Sequence, residues 1–138
     1  MRVILDSNVV MSGVFFGGVP GKILSAWRDR RVDLVLSPSI LDEYLRVGAL
    51  LGVRYESTNF ERFAALLALN AAVIDAPEHL GVQICTDPDD DKFLACALVA
   101  RIQRIVSGDP HLLNVSGWNG IEVIKPRTFV ERYLKDQR

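Results

Sequence analysis

The stretch Val32-Asp33-Leu34-Val35-Leu36-Ser37-Pro38 predicts a strand followed at once by a helix. Residues 32–36 are almost continuously apolar, which is typical of a strand in a parallel sheet that is covered on both faces. Ser37 is a preferred N-cap residue, and Pro38 then occupies the first helical position, where proline is favoured. We therefore expect a buried strand and a helix over about 38–51.

Strand and helix patterns alternate along the rest of the chain. The segments Thr58–Glu61 and Thr128–Glu131 have capping-box spacing and predict helices over 60–72 and 129–135. Gly17–Gly21 is a breaker cluster that precedes an amphipathic segment with Ile23 and Trp27, where a further helix is expected. Other apolar runs predict strands at 3–5, 73–74, 82–85, around 105 and at 121–124, and a helix at about 90–102. This alternation indicates an α/β fold built on a parallel sheet.

Length and composition predict one compact domain over residues 1–138. A chain of 138 residues with 49% apolar residue types suits a single hydrophobic core. No apolar run approaches the roughly 20 residues that cross a bilayer, and Asp6 interrupts the apolar start of the chain too early for a secretory signal. We therefore expect a cytoplasmic protein without a membrane segment.

Charge and cysteine content restrict the kinds of site that the chain can carry. The formal net charge of -1 gives no overall attraction to nucleic acid, so any such contact requires a local basic patch. Cys85 and Cys96 have no metal-ligand or redox spacing and lie in apolar surroundings. Both are expected to be reduced core residues.

Acidic residues follow the predicted strands at their carboxyl ends. Asp6 follows the first strand, Asp87–Asp91 follows the run at 82–85, and Asp109 follows the strand around 105. Because the carboxyl ends of parallel strands share one edge of a sheet, these carboxylates are expected to meet in one crevice. Helical spacing also places Glu43 on the face of its helix that is directed at the sheet. Converging carboxylates predict a site for divalent cations.

The cluster after the 82–85 run offers two neighbouring candidates for the cation site. Asp91 shares a helical stripe with Leu94, whereas the stripe through Asp90 ends at the charged Arg101. Asp91 is therefore the preferred ligand and Asp90 the alternative. Taken singly, each acid has a simpler explanation as a helix cap, a turn residue or half of a salt bridge. The coincidence of four acids from separate segments favours a functional site.

The order and spacing of these motifs resemble those of PIN-domain nucleases. The resemblance is strongest to the bacterial and archaeal branch described as toxin components of toxin-antitoxin pairs, related to VapC-like ribonucleases. It covers essentially the whole chain and rests on Asp6-Ser7-Asn8, Glu43, Asp87-Pro88-Asp89-Asp90-Asp91-Lys92-Phe93-Leu94 and Ser107-Gly108-Asp109-Pro110-His111-Leu112-Leu113. It implies a three-layer α/β/α sandwich around a short, mainly parallel sheet. It also implies a metal-dependent endoribonuclease that acts on RNA and is inhibited by a cognate antitoxin.

The resemblance assigns a role to each motif residue. Four acids fill the catalytic, metal-binding positions, with Asp90 as the alternative for the third: Asp6, Glu43, Asp91 and Asp109. Ser107 occupies a hydroxyl position that is commonly threonine, and Ser7, Asn8 and Ser107 are expected to orient the ligands. Acids without paired histidines favour Mg²⁺ or Mn²⁺ over zinc, and such an ion would activate water for phosphodiester hydrolysis. Lys92, beside the acid cluster, is the basic residue best placed to contact an RNA phosphate.

Other classes of protein share parts of this pattern. A phosphoreceiver signalling domain also gathers acids at strand ends, and Lys125-Pro126 is similar to its lysine-proline signature, but Asp6 lacks the adjacent acid expected there. A haloacid-dehalogenase-like phosphatase would require a second aspartate where this chain has Asn8. A PIN-like scaffold that binds RNA or protein without cutting is a third alternative. Apolar helices make a homodimer a further expectation.

Overall fold

Five parallel strands form the centre of the protein, whose computed structural model describes residues 1–135. In chain order they are β1 (Arg2–Leu5), β2 (Asp33–Leu36), β3 (Ala72–Val73), β4 (Arg104–Val106) and β5 (Glu122–Ile124). Across the sheet their order is β3-β2-β1-β4-β5. The central strand β1 pairs with β2 through Val3 and Leu34, and with β4 through Leu5 and Val106.

Helices cover both faces of this sheet. They are α1 (Ser7–Phe16), α2 (Gly18–Arg28), α3 (Pro38–Arg54), α4 (Asn59–Asn70), α5 (Asp91–Ala100), α6 (Pro110–Leu113) and α7 (Pro126–Phe129), which continues as a π-helical segment, Val130–Leu134. Successive residues of a strand point to opposite faces of the sheet, and Val3, Ile4 and Leu5 are all buried. Both faces of β1 are therefore covered. The expected α/β class with a parallel sheet inside helical layers is confirmed.

The strand order changes direction next to β1. The chain runs outward from β1 through β2 to β3, then returns to the other side of β1 to form β4 and β5. In open parallel sheets such a reversal leaves a crevice at the carboxyl ends of the two strands that flank it, and ligands bind there. Here the flanking strands are β1 and β4, so their carboxyl ends mark the place where a functional site is expected.

Helix α3 begins as its sequence predicts. The Ser37 hydroxyl accepts a hydrogen bond from the backbone amide of Ile40 at 3.3 Å, and Pro38 is the first helical residue. The helix then extends to Arg54, one turn beyond the predicted end, because it packs against α4. At Gly48 the ring of Phe60 lies so close that a Cβ atom would come within 2.2 Å of it. Glycine is required there by this approach of the two helices.

The strand predicted at 82–85 is wrong. Those residues form no strand, and Val82 is 68% exposed. The backbone amides of Ile84 and Cys85 donate instead to the carboxylate of Asp91. The Asp91 side chain therefore accepts the hydrogen bonds that a neighbouring strand would otherwise accept.

The structure also differs from the sequence prediction at the first and the last helix. Helix α1 is not evident from the sequence, because its apolar residues form no marked stripe and hydrophobic periodicity gives little signal. The last helix begins at Pro126 rather than Phe129, and Thr128 therefore lies inside it instead of capping it. Thr58 does precede α4, but its side chain makes no capping hydrogen bond.

Within residues 1–135, no single helix has both the length and the apolar character needed to cross a membrane. Only α1 and α2 taken together would meet those limits, and they are bent by 96° with respect to each other.

Candidate active site

Two aspartates lie at the carboxyl ends of the strands that flank the reversal. Asp6 directly follows β1, and its backbone amide donates to the carbonyl of Val106 in β4 at 2.9 Å. Asp109 follows β4 after a two-residue turn. Since β1 and β4 are neighbours, the sheet itself brings together residues that are 103 positions apart in sequence.

Ser107 connects these two aspartates. Its hydroxyl donates to Asp6 Oδ2 at 2.7 Å and accepts from the backbone amide of Asp109 at 3.0 Å. Ser107 is completely buried, and Asp6 is only 4% exposed. The Asp6 carboxylate is therefore held in one orientation by a buried hydroxyl that also fixes the backbone of Asp109.

The environment of Asp6 is unfavourable for a negative charge. Burial raises the pKa of Asp6 above its ordinary value, and the charges of Asp109 and Glu43 raise it further. The hydrogen bond from Ser107 and the backbone amide of Asn8 act in the opposite direction and do not fully compensate. A bound cation would remove this penalty.

Asp90 completes the acid cluster. Burial, followed by the charges of Asp109, Asp6 and Asp87, raises the pKa of Asp90 from 3.8 to about 7. Its Oδ2 atom is buried and has no hydrogen-bond partner among the described residues. A buried carboxylate oxygen without a partner, surrounded by other carboxylates, fits a position that a cation occupies.

Asp91 does not join this cluster. It is 2% exposed, as its apolar stripe predicts, but both carboxylate oxygens accept backbone amides, Oδ2 from Ile84 at 2.9 Å and Oδ1 from Cys85 at 2.8 Å. Burial alone would raise the pKa of Asp91, and these hydrogen bonds lower it below the ordinary value. The structure thus engages both oxygens of Asp91 with backbone amides and brings Asp90, the alternative from the sequence, near the other acids.

Glu43 lies at the edge of the cluster with both oxygens occupied. Its Oε1 accepts from Lys92 Nζ at 2.7 Å, and its Oε2 accepts a hydrogen bond from the Ser7 hydroxyl. The salt bridge considered for Glu43 from the sequence is therefore present, with Lys92 as the partner. Glu43 still lies near enough to raise the pKa of Asp6 by its charge.

Lys92 does not present its charge to solvent. It is 5% exposed and paired with Glu43, so its charge is directed to that carboxylate, and its contact with RNA phosphate stays a prediction. This direction follows from its position on α5, where the side chain points inward to α3. Asn8 is exposed and acts on Asp6 through its backbone amide, whereas Ser7 and Ser107 bind acids with their hydroxyl groups.

Tyr44 is a positioning residue that the sequence does not reveal. It is fully buried, and its hydroxyl donates to the backbone carbonyl of Leu5, immediately before Asp6. This contact fixes the end of β1 against α3. Burial, and then the charge of Asp6, raises the pKa of Tyr44 well above its ordinary value, so the hydroxyl remains a donor.

The donor set of this site suits a hard cation. Within residues 1–135, no three Asp, Glu, His or Cys side chains are already arranged to hold a metal ion. Mg²⁺ commonly takes only one or two protein carboxylates and keeps several waters, so an open cluster of oxygen donors fits such an ion. The unpaired Oδ2 of Asp90 and the raised pKa of Asp6 are the two observations that carry this fit.

Several classes of protein place acids at the reversal point of a parallel α/β sheet, and the sequence comparisons identify the family to which this chain belongs. The chain matches the PIN domain family over residues 2–111, a range that includes every acid described above. It therefore belongs to the PIN-domain family, as its motifs predict. The family consists generally of nucleases that use divalent metal ions.

One relative spans nearly the same length. The chain is similar to the uncharacterized protein MJ1680 of Methanocaldococcus jannaschii, with 27% identity over 145 residues. The match covers 98% of this chain and 93% of that protein.

Proposed function

We propose that this protein is a Mg²⁺- or Mn²⁺-dependent endoribonuclease that hydrolyses phosphodiester bonds of RNA. The observation that carries the proposal is that Asp109 lies near enough to both Asp6 and Asp90 for its charge to raise the pKa of each. Burial and the charges of neighbouring acids raise the pKa of both Asp6 and Asp90, which are therefore destabilised as anions until a cation binds. Such an arrangement is costly for folding and is typical of an active site.

Asp6, Asp90 and Asp109 are the residues that would hold the ion. Asp90 replaces Asp91 in this assignment, because the oxygens of Asp91 are engaged by backbone amides. When bound, the ion would activate a water and offset negative charge at the reacting phosphate. Ser107 orients Asp6, and Glu43 stands beside the cluster, where a water could link its carboxylate to the site.

The reaction adds water to phosphorus and expels the 3′ oxygen of the preceding nucleotide. The products would be a 5′-phosphate and a 3′-hydroxyl, as the resemblance to PIN-domain nucleases implies. The chain's own contribution is to fix the carboxylates before substrate binds: Ser107 and Tyr44 hold the end of β1 in place through hydrogen bonds. Preorganised groups of this kind need no rearrangement during the reaction.

The toxin of a toxin-antitoxin pair is the biological role that we propose for this nuclease. The support is the resemblance to the toxin branch carried by Asp6, Glu43, the Asp87–Asp91 cluster and Asp109. The cognate antitoxin would be a small protein encoded beside it. Expression of the protein alone should arrest growth, and co-expression of the neighbouring gene should relieve the arrest; unimpaired growth under strong expression would contradict the role.

RNA cleavage with controlled metal content tests the proposed activity. A mixture of structured and single-stranded RNAs is incubated with Mg²⁺, Mn²⁺ or EDTA, and the parent is compared with Asp6→Asn, Asp109→Asn and Asp91→Asn. We expect cleavage by the parent with metal only, loss of cleavage in the first two variants and retention in folded Asp91→Asn. Intact RNA under all metals would favour a non-cleaving scaffold, and full activity of Asp109→Asn would refute the ligand assignment.

A further inference from the structure

A cavity of about 870 Å³ lies between α1 and α2 on one side and the C-terminal helical segment, from α7 through the π-helical turn, on the other. Its wall contains glycines from the α1–α2 junction and charged side chains from both sides. The acids of the candidate active site are absent from the described residues that line it. It is therefore a separate feature of the surface.

The charge of this cavity is opposite to that of the active site. Four cations line it, Lys22, Arg31, Arg127 and Lys135, against one acid among the described lining residues, Glu131. The ion pairs found within residues 1–135 involve none of these cations. With a net charge of -1 over the chain, this concentration of positive charge is local, and it is the kind of basic patch that nucleic-acid binding requires.

The cavity has room for a backbone with more than one phosphate. At Gly17 and Gly18 a Cβ atom would meet no other atom closer than 4.0 Å, so this part of the wall has free space beside the backbone. Both glycines have positive φ values of 74° and 63°, which side chains rarely adopt. The volume lies within the range of sites for nucleotide-sized ligands, about 300–1,000 Å³.

The position of the cavity connects it to the acid cluster. Helix α1 starts at Ser7, next to Asp6, and reaches the cavity at Gly13, about 9 Å further along its axis at 1.5 Å per residue. On the other side, α7 begins just after the carboxyl end of β5, at the sheet edge that holds the acids, and contributes Arg127. Two of the helices that line the cavity, α1 and α7, therefore begin at the sheet edge that holds the acids.

We propose that this cavity binds the phosphodiester backbone of the RNA substrate on one side of the cleaved bond. The inference rests on the proposed function, because it assigns a second contact region to the same substrate. Phosphates contribute sequence-independent affinity and fix the register of the strand, so the cavity would position the scissile bond rather than select bases. Its C-terminal wall lies outside residues 2–111, the range matched by the family.

Binding in EDTA measures this contact without cleavage. Fluorescence anisotropy of a labelled single-stranded RNA over a salt series is compared between the parent and the double variant Lys22→Gln/Arg127→Gln. We expect about tenfold weaker binding and a log–log salt slope that is smaller by about 1.4, since each lost phosphate contact on a single strand removes about 0.7. Glu131→Gln should bind more tightly, because it removes the one acid from the described wall.

The matched control is Arg62→Gln/Arg101→Gln, which removes two exposed cations from other surfaces. It should bind RNA like the parent. Thermal unfolding checks that all variants remain folded.

Two outcomes would overturn the proposal: an equal loss of RNA affinity in both double variants, or no loss of RNA affinity in either. These results are separable from those for the proposed function. Cleavage that is insensitive to the cavity refutes only the contact region. RNA binding that depends on the cavity, without cleavage under any metal, refutes only the nuclease activity.

Discussion

Replacing Asp90 and Asp91 by asparagine, one at a time, separates the two roles that the structure gives to these neighbours. Asp90 is a partly buried acid among other acids, and its pKa is raised to about 7. Asp91 is a buried acid whose oxygens accept two backbone amides. The two substitutions are chemically identical, but we expect opposite effects on both stability and activity.

The size of the stability change expected for Asp90→Asn follows from the raised pKa of Asp90. A rise from 3.8 to about 7 means that ionisation in the folded state costs up to about 4 kcal/mol of stability, at about 1.4 kcal/mol per tenfold change. Because the residue is only partly buried, solvent screening reduces this to about 2 kcal/mol. Asparagine carries no charge, so Asp90→Asn in EDTA should be more stable than the parent by about that amount, or several degrees in Tm.

The pH dependence has a definite sign. The folded state of the parent binds more protons than the unfolded state between pH 3.8 and about 7, so the stability of the parent falls as pH rises through this window. The advantage of Asp90→Asn should therefore be complete above pH 7 and vanish below about pH 4. Asp91 behaves in the opposite way, because its pKa is lowered: its contribution is present above pH 3.8 and is lost as pH falls through the folded pKa.

For Asp91→Asn we expect a loss of stability, because the substitution weakens the hydrogen bonds to the backbone. An amide retains one acceptor oxygen but presents an NH₂ group to the second backbone amide, so at least one charge-assisted hydrogen bond is lost, at about 2–3 kcal/mol. Urea unfolding in EDTA at pH 8 measures both stabilities, and RNA cleavage per folded molecule measures activity. Added Mg²⁺ should raise the Tm of the parent and leave that of Asp90→Asn nearly unchanged. A destabilised Asp90→Asn that still cleaves RNA would refute the reasoning.

Three further substitutions test the supports around the site. Ser107→Ala should lower the single-turnover rate of cleavage about 10-fold to 100-fold, because it releases the carboxylate of Asp6. Ser107→Thr should retain the rate, because it keeps the hydroxyl. Lys92→Met should lower the free energy of unfolding in urea by about 3 kcal/mol, since it leaves the glutamate on α3 without its ammonium partner. The same change at exposed Lys125 should have almost no effect on stability. RNA affinity in EDTA should be unaffected by Lys92→Met, because the ammonium group is already paired with a carboxylate; a loss of affinity would support the predicted contact with RNA phosphate. Gly48→Ala should destabilise the protein by about 1–3 kcal/mol, because the added methyl group would collide with an aromatic ring of α4. Gly52→Ala in the same helix should be neutral or stabilising, since the nearest atom to its added Cβ is at 3.4 Å. Equal Tm values for the two variants would contradict this packing.

The sequence predicts the sheet well where local signals and burial agree. The cap at Ser37-Pro38 marks the end of β2, and the apolar runs before Asp6 and Asp109 mark β1 and β4, because all three strands are buried on both faces. The run at 82–85 has the same composition, and nothing in its local pattern shows that its amides bind a side chain on α5. Strand pairing depends on distant partners, which periodicity does not describe.

The acid cluster is predictable to the level of the segment but not of the residue. The positions of Asp6 and Asp109 follow from strand ends in a parallel sheet. The choice of Asp91 over Asp90 relied on helical spacing, which predicts burial and does not distinguish a catalytic environment from backbone capping. For Lys92 the sequence shows proximity to the acids, but the inward direction of its side chain depends on how α5 packs on α3.

The bond between Ser107 and Asp6 joins positions 101 residues apart, and this separation has a consequence for the protein during its synthesis. Asp6 is therefore translated long before Ser107. Contacts of such long sequence separation form late and slowly, and no fragment that ends before residue 107 contains this one. For an enzyme that we propose to cut RNA, a shorter nascent polypeptide thus lacks the contact that orients Asp6, and it should not yet cleave the message that encodes it.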